Sequence, residues 1–252
     1  MRTDRFRRLR SITTTALTLL TLGALTACGS DTTGPHATTT VRGTAGEQAT
    51  ITITLMRHAE SAGNASGLID TSTPGPELTT KGRTEAQAAA ETHGQRDFDG
   101  VYASTMVRTQ QTASYMAGAV AEPVEVLSGL REIEAGQFEK QPESTSQSGY
   151  LQAPLAWIQG RRDERIPGSI DGNEFDHRFD VALRQIYDSG DTHPIAFAHG
   201  GSIMIWTLMN VDNPDPDKLK SAPLGNTDYV TIEGSPDSGW SLIDWNGMPI
   251  TR

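Results

Sequence analysis

Ile51-Thr52-Ile53-Thr54-Leu55-Met56-Arg57-His58-Ala59-Glu60 is the stretch on which the fold turns. Its first six residues are β-branched or apolar and stop abruptly at Arg57-His58, ahead of a loop rich in Gly, Asn and Ser. A buried strand that opens into a loop at the carboxyl edge of a sheet has this pattern. Downstream the alternation continues. Residues 80–93 read as a helix closed by Gly94, 98–103 as a second strand, and Ser104 as the cap of a helix over 105–119. A third strand is predicted at 124–127. Residues 134–172 are irregular and rich in Glu, Ser, Gln, Gly and Pro, with one short helix near 150–159, which suits a cap over a substrate. A helix over 173–188, a strand at 195–198 and an apolar helix from Gly200 to about Met209 follow. Strands at 229–233 and 240–245 close the chain. The predicted class is α/β, a three-layer α/β/α sandwich around a mostly parallel sheet, with ligands held where strands end and helices begin.

Toward the N-terminus, Arg2, Arg5, Arg7, Arg8 and Arg10 precede an uncharged stretch at 11–27 that is too short and Thr-rich to span a bilayer. This reads as a secretory signal peptide. Leu25-Thr26-Ala27-Cys28, followed by Gly29-Ser30, resembles the lipobox of bacterial lipoproteins, in which cleavage before the Cys exposes it for lipidation. Cys28 is the single Cys of the 252 residues, so an internal disulfide, a Cys-based zinc site and a C-x-x-C redox pair are excluded. The expected organisation is a signal peptide at 1–27, a Thr/Gly-rich tether at 28–49, and a folded domain at 50–252 with a cap near 134–172. The expected address is the outer face of the cytoplasmic membrane, with lipidated Cys28 as the anchor. Formal charge is −10, and losing 1–27 removes five Arg and one Asp, leaving 16 basic against 30 acidic groups. So acidic a surface repels nucleic acid, and any bound anion must be held by a few locally placed cations.

Three strand ends bring such cations to one edge. Arg57 and His58 follow the first strand, with Asn64 six residues on. Arg108 stands in the first turn of the helix after the second. His199-Gly200-Gly201 opens another helix, whose free N–H groups and dipole favour an anion. Two Arg, two His and a helix N-terminus describe a phosphate pocket. No His pair has metal-ligand spacing, so no metal and no cofactor are expected, and the remaining His36, His93, His177 and His193 read as tether, helix-end or turn residues. Trp157, Arg161, Arg162 and Arg165 read equally as part of a substrate cap or as a solvated face.

Taken together, these motifs resemble the histidine phosphatase superfamily, the phosphoglycerate-mutase-like fold, in its branch with His-Gly at the second histidine. Arg57-His58-Ala59-Glu60 is similar to the family's Arg-His-Gly-Glu, Leu78-Thr79 with Gly82 to Leu-Thr-x-x-Gly, and Ser104 through Thr112 to Ser-x-x-x-Arg-x-x-Gln-Thr. Leu130 through Gly136 is similar to the segment that carries the acid, and Ala198-His199-Gly200-Gly201 to the second histidine motif. Asn226 falls where an Asn often precedes the last strands. The departures are Ala59 for Gly, Lys140 where Gly usually follows Phe138-Glu139, and Gly172-Asn173-Glu174 for Gly-Gly-Glu. The resemblance implies a metal-independent phosphomonoester hydrolase with His58 as nucleophile, Glu132 as acid and base, and Arg57, Arg108 and His199 around the phosphoryl group. Asn64 and Gly200 join them in binding substrate. Glu134 stays open as the alternative acid.

The chemistry agrees with those residue types. A histidine nucleophile must be neutral, which its ordinary pKa permits and neighbouring cations reinforce. Guanidinium grips two oxygens of a phosphoryl group, and a carboxylic acid protonates the departing alkoxide. The expected partner is a small phosphorylated substrate. An acyl hydrolase would need a G-x-S-x-G elbow, which the chain lacks. A mutase needs a primer not supplied outside the membrane, and a silent binding module has no use for nucleophile and acid together.

Overall fold

The computed structural model describes residues 49–250. The expected signal peptide, Cys28 and the tether up to residue 48 lie outside them. In chain order the elements are β1 (Ile51–Arg57), α1 (Ala62–Ser66), α2 (Thr80–His93), β2 (Val101–Ala103), α3 (Val107–Val120) and β3 (Val124–Val126), then α4 (Gln152–Ile158) and α5 (Gly172–Asp188). β4 (Ile195–Ala198), α6 (Gly200–Asn210), α7 (Lys218–Ser221), β5 (Tyr229–Ser235), β6 (Gly239–Trp245) and β7 (Met248–Pro249) complete the chain. Three short 3-10 turns, Ser128–Leu130, Gly136–Phe138 and Glu143–Ser148, lie between β3 and α4.

The seven strands form one sheet in the order β3-β2-β4-β1-β5-β6-β7. β3, β2, β4 and β1 run parallel, and the closing strands β5, β6 and β7 pair antiparallel onto β1's far side. Side-chain alternation assigns the layers. Ile51, Ile53 and Leu55 of β1 and Ala196 and Ala198 of β4 join the core that contains Phe179 and Ile186 of α5 and Ile203 and Trp206 of α6. Met56, Ile195 and Phe197 face the other way, onto Ala89 of α2 and Ala113 and Met116 of α3. Helices therefore cover both faces, as the sequence predicts.

Two predicted boundaries shift. The strand expected at 98–103 forms only over Val101–Ala103. The helix expected from 105, capped by Ser104, begins at Val107 behind Met106, which makes no side-chain cap. Ser104 stands two residues before that cap position; its hydroxyl accepts from Met106 N–H at 3.2 Å and also contacts His199 and Thr109.

Several motif positions have structural duties. Thr79 caps α2 by accepting from Gly82 N–H, and a Cβ on Gly82 would fall 1.9 Å from Glu60 O, so only Gly lets α2 sit against the loop after His58. The Ala59 methyl is buried with Leu78 and Ala86, so the departure from Gly costs no space. Thr112 Oγ1 accepts from Ala59 N–H and Gln111 Oε1 from Leu78 N–H, fastening α3 to both segments. In Gly172-Asn173-Glu174, Glu174 closes a capping box with Asp171 at the start of α5. Lys140, standing where the resemblance expects Gly, adopts φ 64°, the left-handed conformation that Gly adopts at no steric cost. Its ammonium pairs with Asp70.

The segment predicted as a cap divides into two parts. Lys140 N–H and Glu143 N–H donate to Ile69 O and Gly67 O, which binds the first part along the loop after α1. The second part packs on the body. Trp157, 1% exposed, stacks on Phe175 at 5.7 Å and starts a row of rings through Phe179 to Trp206. The cap reading of Trp157, Arg161, Arg162 and Arg165 is accordingly corrected: none lines the cavity described below. Arg162 pairs with Asp176, and Arg165 with Asp171 and Glu174. Among the described residues no helix is long and apolar enough to cross a membrane.

Candidate active site

The parallel half of the sheet delivers every site residue to one edge. Register pairs Arg57 of β1 with Ala198 of β4, and Phe197 of β4 with Ala103 of β2. The residues just beyond these strands, His58, His199 and Ser104, therefore emerge side by side. β3 runs on through the turn at Ser128–Leu130 to bring in Glu132. A cavity of about 340 Å³ opens on this edge and is lined by Arg57, His58, Asn64, Arg108, Glu132 and Gly200 among others.

His58 is 3% exposed, and its backbone is gripped from two sides. Its N–H donates to Ala198 O at 3.0 Å and its carbonyl accepts from Asn226 Nδ2 at 3.0 Å. Ring Nδ1 donates to Ala59 O at 2.7 Å, so in the neutral ring Nε2 carries the lone pair. Arg108 Nε donates to that atom at 3.0 Å. Burial first, then the charges of Arg108 and Arg57, hold the His58 pKa well below the ordinary histidine value, against the opposing pull of the Ala59 carbonyl.

His199 is fully buried, its ring centroid 5.0 Å from that of His58 and tilted by 66°. Nε2 lies 2.9 Å from Ser104 Oγ, while Nδ1 is buried without a hydrogen-bond partner. Its pKa is likewise pushed well below the ordinary value, by burial first and then by Arg108 and the neighbouring His58. Arg108 Nη1 is a second buried nitrogen without a partner, while Nη2 donates to Asp70 O. Arg57 Nη1 donates to Leu224 O at 2.6 Å, and Gly200 leaves room for the Arg57 stem, to which a Cβ would come within 3.2 Å.

Glu132 separates from Glu134 by position. Glu132 lines the cavity, and its carboxylate accepts from Ser202 N–H at 2.7 Å, Ile133 N–H at 2.9 Å and Gly201 N–H at 3.1 Å. Glu134 does not line it and is tied up by Arg131 and Arg178. The N-terminus of α6, which the sequence reading gives to phosphate, thus holds the Glu132 carboxylate through its second and third residues. Gly201 makes that seat possible, since a Cβ there would fall 2.8 Å from Glu132 Oε1. Asn64 lines the cavity with Oδ1 already used by Ser61 N–H and Oγ in a capping box, which leaves Nδ2 to serve a ligand.

Three supporting residues escape the sequence reading. Ser104 reaches His199, although its motif position marks it as more than a cap. Arg178, half-buried, grips the carbonyls of Gly129, Arg131 and Glu132 and so fixes the loop that carries Glu132; nothing in the α5 sequence distinguishes it from a surface Arg. Tyr150 lines the cavity and donates to Ile133 O at 2.7 Å. His93 lies edge-on to Tyr229, and His193 lies beside Thr192, both outside the cavity lining. Among the described residues no group of three or more His, Cys, Asp or Glu is placed to hold a metal ion.

Residues 53–247 match the family model described as the histidine phosphatase superfamily (branch 1). Among curated proteins the chain is 39% identical over 222 residues to the PE-PGRS family protein PE_PGRS11 of Mycobacterium tuberculosis (strain ATCC 25618 / H37Rv). That match covers 81% of this chain and 38% of the relative, so the chain spans little more than a third of that protein's length. A probable phosphoglycerate mutase of Yersinia enterocolitica is 28% identical over 197 residues, covering 76% of this chain and 88% of the mutase. Among solved structures, a mycobacterial glucosyl-3-phosphoglycerate phosphatase aligns with TM-score 0.64 at 22% identity, over 79% of this chain and 99% of that one. The phosphoserine phosphatase of Entamoeba histolytica aligns with TM-score 0.62 at 22% identity, over 78% and 96%. At these identities the two structural likenesses are of fold.

Proposed function

The chain belongs to the histidine phosphatase superfamily (branch 1), and from that premise we propose that it hydrolyses phosphomonoesters through a phosphohistidine formed on His58. The observation that carries this reading is the His58 ring. Nδ1–H is committed to Ala59 O, and the lone pair of Nε2 faces Arg108 in a cavity that Glu132 also lines.

The phosphoryl group enters between Arg57, Arg108 and His199. Arg108 Nε leaves Nε2 to meet a phosphoryl oxygen, and the buried, unpartnered Arg108 Nη1 and His199 Nδ1 supply further polar contacts. Nε2 attacks phosphorus in line as the ester P–O bond breaks, and the departing oxygen takes a proton from the Glu132 carboxyl. Glu132, now ionised, takes a proton from water. The water oxygen attacks phosphorus, the P–N bond breaks, and inorganic phosphate leaves. Charge on the phosphoryl oxygens is carried by Arg57 and Arg108 throughout, so the reaction needs no metal.

A rapid quench with a labelled phosphomonoester tests the step. The expected product is an acid-labile, base-stable phosphoenzyme that His58→Ala does not form. Full turnover by His58→Ala, or activity lost in chelator and restored by Mg²⁺ or Zn²⁺, overturns the reading. We place this chemistry outside the cytoplasmic membrane, on a domain at 50–252 anchored through lipidated Cys28. The sequence at 25–28 supports that address. Cys28→Ser should leave the precursor unlipidated, and wild type released with an unmodified Cys28 would refute it.

A further inference from the structure

Charge is distributed unevenly along the cavity. Among the described residues Arg57, Arg108 and His58 are its only basic lining side chains, and all three belong to the site proposed to take the phosphoryl group. Exposure rises from His58, 3% exposed, to Leu68, 37% exposed, which places Leu68 at the mouth. Glu143 stands beside it, its N–H donating to Gly67 O. Away from the basic residues the lining is mixed: Leu68, Leu151 and Met204 offer apolar surface, and Thr71, Ser146, Gln147 and Tyr150 offer neutral polar groups. The charged side chains that line this outer part are acidic, Asp70 and Glu143. Asp70 is neutralised by Lys140, which stands behind it outside the lining. Among the described residues Glu143 has no ion pair and no side-chain hydrogen bond, so its charge stands at the mouth uncompensated by them.

A phosphomonoester seated with its phosphoryl group against Arg57 and Arg108 must leave its alcohol portion in this outer part. Resting on the phosphatase reading above, we infer that the cavity selects phosphomonoesters whose alcohol carries an apolar body and no second anionic group, with Glu143 as the residue that rejects anions. The apolar part of the wall removes the body of the alcohol from water, which favours binding in proportion to the area covered. A second carboxylate or phosphate would meet Glu143 without any cation to offset the repulsion. A cationic substituent would be drawn to the same carboxylate.

The test uses three aryl phosphates of closely matched leaving-group acidity: 4-ethylphenyl phosphate, the phosphate of 3-(4-hydroxyphenyl)propionate, and tyramine phosphate. For wild type at low salt, kcat/KM for the neutral and cationic esters should exceed that for the anionic ester by about tenfold, and added salt should narrow the gap. Most of the difference should lie in KM, since the reacting atoms are the same. Glu143→Gln should shrink the ratio toward unity, and Glu143→Lys should favour the anionic ester. Equal rates for all three, or preference for the anionic ester by wild type, with the phosphoenzyme still trapped, overturns the selectivity and leaves the phosphatase reading standing. Hydrolysis of none of them, with no phosphoenzyme, overturns both.

Discussion

His58 and His199 stand at the ends of neighbouring parallel strands, both buried, both with pKa values pressed down by burial and by Arg108, their rings 5.0 Å apart. Their hydrogen bonding differs. His58 has both nitrogens engaged, by Ala59 O and Arg108, and its tautomer is set by its own backbone neighbour. His199 has one nitrogen at Ser104 and the other without a partner. A nucleophile must offer one lone pair in one direction whether or not substrate is present, and a local backbone acceptor guarantees that. A residue that only steadies a phosphoryl oxygen completes its bonding when the ligand arrives. On the proposed mechanism, similar burial and charge therefore serve two different duties, separated by the second ring nitrogen.

The sharpest way to break this contrast is to delete each ring. His58→Ala should abolish both turnover and the trapped phosphoenzyme, because the attacking atom is gone. His199→Ala should slow turnover by about 10²–10³-fold while a phosphoenzyme still forms. Rapid quench on both variants decides, and an exchange of the two phenotypes would reverse the assignment.

Glu132→Gln probes the residue proposed as the acid on this edge. Turnover of alkyl phosphates should fall by about 10²–10⁴-fold and that of activated aryl phosphates much less, since their leaving groups need little protonation. Steady-state rates over a series of leaving groups read this out, and a uniform loss across the series would place Glu132 in binding.

Ser104→Ala tests whether His199 depends on its hydroxyl. We expect about a tenfold loss in kcat/KM and weaker inhibition by inorganic phosphate, with the His58 phosphoenzyme still formed. An unchanged inhibition constant would show that the contact does not position His199.

The smallest effect concerns pH. With folded pKa values well below the ordinary 6.5, both rings stay neutral as pH falls through that value, so phosphoenzyme formation should show no inflection there. The unfolded chain, in contrast, takes up protons at these histidines. Stability is therefore full above about pH 6.5 and falls below it, by up to about 1.4 kcal/mol per pH unit for each histidine, until the folded pKa is reached. Denaturant melts of wild type against the two alanine variants between pH 5 and 7.5 measure the slope, which should flatten when either ring is removed.

Much of this was legible in the chain itself. β1, β4 and the amphipathic α5 announce themselves by pattern, because burial of both sheet faces or of one helix face demands it. Arg57, His58, Arg108 and His199 were found by their places at strand ends. What stayed hidden depends on contacts distant in sequence. Ser104 reads as a cap because Ser before a helix ordinarily is one, and only β4 lying beside β2 brings His199 to the same hydroxyl. Glu132 and Glu134 are two residues apart in one loop, and what separates them is the seat of Glu132 on the start of α6 and the grip of Arg178 on Glu134, both contacts distant in sequence. Trp157 reads equally as cap or as solvated face because nothing local reveals that Phe175 covers it.

The clamp on the His58 backbone has a consequence in time. Its amide proton is bonded to Ala198 O where the two central strands β1 and β4 end, so exchange with deuterium should require opening of that strand pair. Glu143–Ser148, a single 3-10 segment held by short-range bonds and by one link to Gly67 O, should exchange far sooner. The atoms assigned to bond-breaking would then ride on a slow-opening part of the molecule and those assigned to choosing substrate on a fast one, so that the wall of the cavity can fluctuate, and change, without loosening the nucleophile.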